Sequence, residues 1–135
     1  MALLNWNPAY SVGIKEIDKE HMKLVDLINE LHDAMKSGKG KEVLGKTLNE
    51  LVNYTAFHFA HEEQLFDKYG YPETAIHKKQ HKELVDQVLA YKANYDSGKT
   101  IISIDIMNFL KDWLVKHIAG SDKKYTAFLN SKGVV

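Results

Sequence analysis

Four long segments of the sequence place apolar side chains at alternating intervals of three and four residues. The segments are Ile17–Ser37, Lys41–Lys68, Glu73–Asp96 and Ile104–Ala119. Such spacing lines up one apolar stripe along one face of an α-helix, whereas no stretch shows the period-two alternation of a β-strand. Four helices joined by short connections predict an all-α fold, an antiparallel up-down-up-down four-helix bundle.

The residues between these segments predict the helix boundaries and the domain organisation. Asp18 is predicted to cap the start of the first helix and Ser103 that of the last, because short polar side chains bond the free N–H groups there. Residues 1–16 are expected to form an extended N-terminal arm, followed by a helical bundle and C-terminal segment over 17–131. At 135 residues, the chain is expected to be a single domain, 1–135.

Composition excludes several classes of protein. The 18 basic and 18 acidic side chains balance, so neither nucleic acid nor an anionic membrane surface is an expected partner. No cysteine is present, which excludes disulfides, thiolate metal sites and iron–sulfur clusters. The sequence offers no stretch with the length of a membrane span and no recognisable secretory leader. A cytoplasmic protein is therefore expected, with a monomer favoured.

Six polar residues occupy positions on the apolar stripes where Leu or Ile is expected. They are His21, His58, Glu62, His77, His81 and His117. Burying unpaired imidazoles and a carboxylate costs several kcal/mol, so the six groups need a common compensation. In an antiparallel bundle these positions meet at one end of the fold. Imidazole and carboxylate are ligands that suit iron, zinc, copper or manganese, so the pattern predicts a metal centre.

These residues and their spacing resemble a known family. The run His58-Phe59-Ala60-His61-Glu62-Glu63 follows His21, and His77-x3-His81 and His117-x4-Asp122 come after it. This combination resembles the hemerythrin signature and is most similar to the single-domain bacterial hemerythrins. The resemblance extends from Asn5-Trp6 to Tyr125, and the chain is identified as a member of that family on this basis.

The resemblance implies a cofactor of two non-haem iron ions, bridged by Glu62, Asp122 and an oxo or hydroxo group. It implies that His77, His81 and His117 hold one iron. The other iron is held by His21 and His58. Five imidazoles and three bridges fill eleven of the twelve positions of two octahedral irons. The open position lies on the iron with two imidazoles, where a small molecule such as O2 binds.

Asp122 needs an irregular helix to reach the other donors. It follows His117 by five residues, which is one residue beyond the i+4 position that shares a helical face. Gly120-Ser121 lies between them, and the helix is predicted to loosen or bulge there so that the carboxylate can turn inward.

Reversible O2 binding, for storage, delivery or sensing, is the function that the resemblance implies. Such binding needs a dry pocket, because water and protons would release the ligand in reduced form and leave oxidised iron. The predicted pocket wall consists of Leu24, Phe59, Trp113, Leu114 and Ile118. The chain contains no Glu-x-x-His pair of the kind found in carboxylate-rich di-iron enzymes, so it is expected not to be an enzyme.

Two other functions stay open at this point. In the first, the chain is a di-iron enzyme that acts on O2, peroxide or NO. In the second, it is a metal-dependent sensory bundle that regulates a partner. Zinc is the alternative occupant of the site, and an oxygen-consuming enzyme is one candidate acceptor of delivered O2. Glu63 and Tyr125 are expected to orient the ligand imidazoles, while His32 and His61 are expected to have no metal role.

Overall fold

The structure, a computed structural model, describes residues 3–38, 40–99, 101 and 104–135. It contains helices α1 (Lys15–Lys36), α2 (Lys41–Tyr69), α3 (Thr74–Asp96) and α4 (Ile104–Lys116), then a π-helix (His117–Asp122) and α5 (Thr126–Ser131). Within the described residues there is no strand. Helix α2 packs against α1 and α3, and α1 also contacts α4. The predicted all-α four-helix bundle is confirmed.

The apolar stripes form the core of the bundle. Ile17, Leu24 and Leu31 of α1 are at most 2% exposed, and they pack in one cluster with Phe66 of α2 and Met107 of α4. Burying a side chain of this size contributes about 1.5–3 kcal/mol, so these stripes fix which face of each helix points inward. None of the helices that the structure describes is long and apolar enough to cross a membrane.

The first helix begins earlier than Asp18, so the predicted cap is wrong. Helix α1 starts at Lys15 after Ile14, which has no capping side chain. Asp18 lies inside the first turn, where its carboxylate accepts hydrogen bonds from Val12 N at 2.8 Å and Ser11 Oγ at 2.6 Å. Its role is to hold the preceding chain against the helix. The other predicted cap, Ser103, lies outside the described residues.

An N-terminal arm precedes the bundle, as predicted, but α1 already begins at Lys15, so the arm is shorter than 1–16, and it contains a 3-10 helix over Pro8–Tyr10. Leu4 exchanges two hydrogen bonds with the Asn29 amide of α1, at 3.0 and 2.7 Å. Thr126 Oγ1 at the start of α5 donates to the carbonyl of Val12 at 2.6 Å. The arm therefore extends along α1 from Asn29 to the end of the bundle at which α1 begins.

The turn between α2 and α3 depends on a glycine. Gly70 follows α2 with φ of 71° and ψ of 42°, a left-handed conformation that glycine adopts without a steric penalty. Its N–H bonds the carbonyl of Phe66 at 2.8 Å, and α3 starts four residues later. The short turn brings the second half of α2 beside the beginning of α3, close to the end of α4.

Candidate metal centre

Seven polar side chains meet at this end of the bundle, each no more than 6% exposed. They fall into two groups. Within each group, the potential ligand atoms all lie within 4.8 Å of one another. The first group contains three imidazoles, those of His77, His81 and His117. The second contains two, those of His21 and His58. Both groups include the same two carboxylates, Glu62 and Asp122. All seven residues singled out in the sequence are therefore brought together.

In the larger group the imidazoles turn Nε2 toward the carboxylates. Nε2 of His77 and Nε2 of His117 each lie 2.9 Å from Asp122 Oδ1. Nε2 of His81 lies 3.1 Å from Glu62 Oε1 and 3.2 Å from Nε2 of His117. Since His77 and His81 are one turn apart on α3, their rings face the same point.

The smaller group lies between α1 and α2. His21 Nε2 is 3.0 Å from Asp122 Oδ2, the oxygen that faces away from the larger group. His58 Nε2 is 3.5 Å from Glu62 Oε1, one turn further along α2. The two imidazole rings contact each other edge to face, with centroids 4.6 Å apart. Asp122 therefore faces both groups, one with each oxygen.

The π-helix explains how Asp122 reaches this position. The chain from His117 to Asp122 is wound more widely than the α-helix before it, which confirms the loosening predicted at Gly120-Ser121. The wider turn brings residues five apart onto one face, whereas a regular α-helix brings residues four apart together. Both His117 and Asp122 are consequently buried on the same side.

The donor atoms fit a metal better than they fit one another. Nε2 of His21 and of His77, both oxygens of Asp122 and Oε1 of Glu62 are fully buried and have no aligned hydrogen-bond partner, although they lie about 3 Å from other polar atoms. With metal–ligand bonds of about 2.1 Å, adjacent corners of an octahedron are about 3 Å apart. Leaving five such atoms unpaired would cost several kcal/mol. The residues present therefore fit a metal site.

Carboxylates outside the cluster hold two of the imidazoles in place. Glu63 Oε2 lies 2.9 Å from Nδ1 of His81, as the sequence suggested for an orienting residue. Glu20 Oε1 lies 2.6 Å from Nδ1 of His58, and its other oxygen lies 2.6 Å from Nδ1 of His61. With a carboxylate at Nδ1, each ring presents a lone pair at Nε2 to the cluster.

Tyr125 forms its hydrogen bond with a carboxylate, and its ring contacts the ligand imidazole of His77, with centroids 5.8 Å apart. Its hydroxyl donates to Glu62 Oε2 at 2.6 Å, and the side chain is fully buried. The bond fixes Glu62 from the side of α5. His61 is in neither group, and neither is His32, a buried histidine in the second half of α1.

An apolar cavity of about 30 Å³ lies next to the cluster. Phe59 forms part of its wall and stacks on the imidazole of His81, with centroids 3.8 Å apart and planes 2° apart. Leu24, Trp113 and Leu114 also line it, whereas Ile118 is buried in the core outside the lining. A volume of roughly 10–15 Å³ holds one water, so this cavity has room for a diatomic molecule.

Comparison with known proteins assigns the family. The model of the hemerythrin HHE cation binding domain matches residues 12–129. The chain belongs to the hemerythrin family. The matched range contains both groups of donors, and a buried cluster of imidazoles and carboxylates of this kind fits a di-iron site.

Individual hemerythrins resemble the whole chain. A bacteriohemerythrin of Stenotrophomonas maltophilia is 37% identical over 125 residues, which are 93% of this chain and 80% of that protein. A bacteriohemerythrin of Methylococcus capsulatus is 34% identical, with 97% of this chain and 100% of that protein covered. A wild-type hemerythrin crystal structure superposes with a TM-score of 0.91 at 33% identity and covers 95% of this chain and 98% of its own.

The imidazoles keep both carboxylates of this hemerythrin centre charged. Burial alone would raise the pKa of Asp122, but His117 and the other facing imidazoles outweigh it and hold the pKa below its usual value. Burial and the Asp122 charge likewise act to raise the pKa of Glu62. The imidazoles of His58, His77 and His81 lower this pKa by more than that, so the net shift is downward. Two negative charges thus remain available to metal ions.

We predict that the metal-free protein loses stability as the pH rises through about 9. Burial lowers the pKa of His77, but the carboxylates of Asp122 and Glu62 more than compensate and raise it from 6.5 to about 9. A proton bound more tightly in the folded state stabilises that state fully below pH 6.5, and this stabilisation disappears above pH 9. Urea unfolding of the metal-free chain from pH 6 to 10 measures the loss.

The variant His77→Gln is the control for this pH dependence. It should be less stable at pH 7 and should show a flatter profile between pH 7 and 10. A wild-type profile that is equally flat would contradict the assignment. The metal-loaded protein should lack this dependence, because a bound ion takes the place of the proton.

Proposed function

We propose that this hemerythrin-family chain binds O2 reversibly at a pair of iron ions. The observation that carries the proposal is that two groups of buried donors share Glu62 and Asp122 next to an apolar cavity, whose wall residue Phe59 stacks on His81. A shared pair of carboxylates holds two metal ions close together. The cavity next to them has the size of the ligand.

The two metal ions would have different numbers of imidazole ligands. His77, His81 and His117 would hold one iron, and His21 and His58 the other, with both carboxylates between them. Iron, when bound, supplies the electrons with which O2 is held. The group with two imidazoles offers fewer protein donors, so it has room for the incoming molecule.

The cavity wall favours binding over turnover. Among the described residues, only two side chains of the lining carry a polar group, the hydroxyl of Thr55 and the indole N–H of Trp113. The Thr55 hydroxyl donates to the Leu51 carbonyl one turn earlier, at 2.7 Å, so it has no proton to offer to a ligand. A wall without an acid, a base or a nucleophile excludes water and leaves a bound molecule intact. Storage, sensing, and delivery to an oxygen-consuming enzyme are the roles that this proposal suggests.

We predict that His77→Ala lowers the iron content below two ions per chain and removes the visible absorption of the oxidised centre. The imidazole is one of only three in its group, and Asp122 Oδ1 loses one of two nearby nitrogens. Metal analysis and the absorption spectrum measure both effects.

His32→Gln is the matched control, since it alters a buried histidine that belongs to neither group. It should keep both irons and the spectrum, even if it unfolds at a lower urea concentration. If His77→Ala retains two irons and an unchanged spectrum, His77 is not a ligand.

Oxygen uptake distinguishes the proposal from an enzymatic role. With an oxygen electrode, the reduced protein should take up about one O2 per pair of irons and then stop, even with an excess of a reductant that does not itself react with O2. It should release that O2 when the solution is flushed with nitrogen. Continued uptake that consumes reductant catalytically would contradict reversible binding and would support an oxidase.

A further inference from the structure

A surface depression of about 220 Å³ lies between α3 and the end of α4, and one wall of it is part of the metal centre. Its lining is formed by Gln80, Glu83, Trp113, Lys116, His117 and Ser121. His117 is 6% exposed, whereas His21 and His58 on the other side of the cluster are at most 1% exposed. This is a place where a molecule in solution can approach a ring of the cluster.

The ring of His117 connects this depression directly with the centre. Its Nε2 faces inward, 2.9 Å from Asp122 Oδ1. The indole of Trp113 stacks on it, with ring centroids 4.4 Å apart and planes inclined by only 16°. Trp113 also lines the interior cavity, so its indole separates the cavity from the depression.

We propose that this depression is the docking site for an external one-electron donor that reduces the oxidised metal pair through His117 and Trp113. The proposal rests on the proposed function. Two donor molecules each lose one electron, and the two trivalent irons become divalent. One proton, taken from water, would accompany the two electrons to the metal pair that the two groups of donors would hold.

An external donor is necessary because the chain has no cysteine to act as a reductant. Electron transfer between separated groups slows steeply with distance, so the route begins where a donor comes closest to a ligand ring. His117 and Trp113 offer two contiguous aromatic rings at that point. A flat aromatic donor, such as a reduced flavin or a viologen, matches this surface.

The charges that flank the depression make the proposal testable. Lys116 and Glu83 lie on its wall and are not members of the metal cluster. Lys116→Glu should speed reduction by the viologen radical cation about threefold at low ionic strength, and slow reduction by dithionite about threefold. Glu83→Lys should do the reverse. Stopped-flow absorption of the iron-loaded protein, oxidised and free of O2, measures both rates.

The ratio of the two rates is the decisive quantity, because a change in the reduction potential of the metals alters both rates in the same direction. Each substitution should change the ratio about tenfold, and 0.5 M salt should abolish the change. Lys23→Glu is the matched control, since Lys23 lies on the groove between α1 and α2. A ratio that responds no more to Lys116→Glu than to Lys23→Glu would overturn the proposal.

A second readout uses the metal-free protein. In a Trp6→Phe background the tryptophan fluorescence, excited selectively at wavelengths that tyrosine does not absorb, comes from Trp113 alone, because the chain has two tryptophans. Lys116→Glu should increase quenching by the methyl viologen dication and decrease quenching by iodide. Equal quenching in both variants would show that the probes do not meet Trp113 in the depression.

These outcomes also separate the two proposals. A chain that binds no iron, or that binds O2 irreversibly, contradicts the proposed function. A chain that binds O2 reversibly but shows no charge-dependent rate ratio contradicts the docking site alone.

Discussion

Replacing Asp122 with asparagine is expected to prevent binding of the metal pair. Asp122 is the side chain whose two oxygens face the two groups separately, with Oδ1 2.9 Å from His77 and His117 and Oδ2 3.0 Å from His21. The amide has nearly the same shape but lacks the negative charge and one of the two acceptor oxygens. The effect therefore falls on both metal ions together.

The affinity for the pair should fall by more than about a hundredfold, since loss of an outer-shell partner already costs about 10–100-fold. Metal content after dialysis, followed by iron titration of the metal-free variant, measures the loss. Asp112→Asn is the matched control, because Asp112 is exposed on α4 and belongs to neither group. If Asp122→Asn binds two irons as tightly as this control, Asp122 does not join the two sites.

The second large effect is expected for Leu114→Ala, which should shorten the lifetime of the oxygenated protein at least about tenfold. Leu114 is 6% exposed and lines the interior cavity beside Trp113. Removing its side chain enlarges the cavity and costs about 2–5 kcal/mol of stability. The larger space admits water, which promotes release of the bound ligand in reduced form and leaves oxidised iron.

Leu129→Ala makes the same deletion at a buried residue of α5 outside the cavity lining. Both variants should unfold at a lower urea concentration, but only Leu114→Ala should oxidise faster when the decay of the oxygenated spectrum is followed. Equal lifetimes in the two variants would show that the cavity next to the cluster does not protect the ligand.

The sequence predicts the bundle because burial decides it. Residues such as Ile17, Leu24 and Leu31 recur at helical spacing and are fully or almost fully buried in one cluster. The same logic predicts which helix face carries the imidazoles. Side chains that are costly to bury stand at positions that must be buried, so their meeting point follows from the antiparallel order of the helices.

Details that depend on the local backbone conformation, such as where a helix begins or widens, are harder to predict. The family resemblance supplies Asp122 as a ligand, and its spacing from His117 indicates only that the helix must widen. Asp18 resembles a helix cap in sequence, yet its carboxylate bonds Ser11 and Val12 after the helix has begun. Spacing does not distinguish a residue that caps a helix from one that holds the preceding segment against it.

Glu20 is the functional residue that the sequence analysis missed. It precedes His21 on α1, and a charged residue at such a position is usually exposed. Here its two oxygens bond His58 and His61, so it is 8% exposed and its pKa is lowered by these imidazoles against the effect of burial. Only the packing of α1 on α2 shows this contact. The sequence did indicate that each ligand imidazole needs a hydrogen-bond partner at Nδ1, and a search for nearby carboxylates would have included Glu20.

The most direct test of a di-iron O2 carrier is the visible spectrum of the purified protein, recorded through cycles of oxygenation and deoxygenation together with its metal content. We predict two irons per chain and an absorption band that appears with O2, disappears when O2 is removed and returns in the next cycle. Zinc in place of iron, or a band that forms once and does not reverse, would contradict the account.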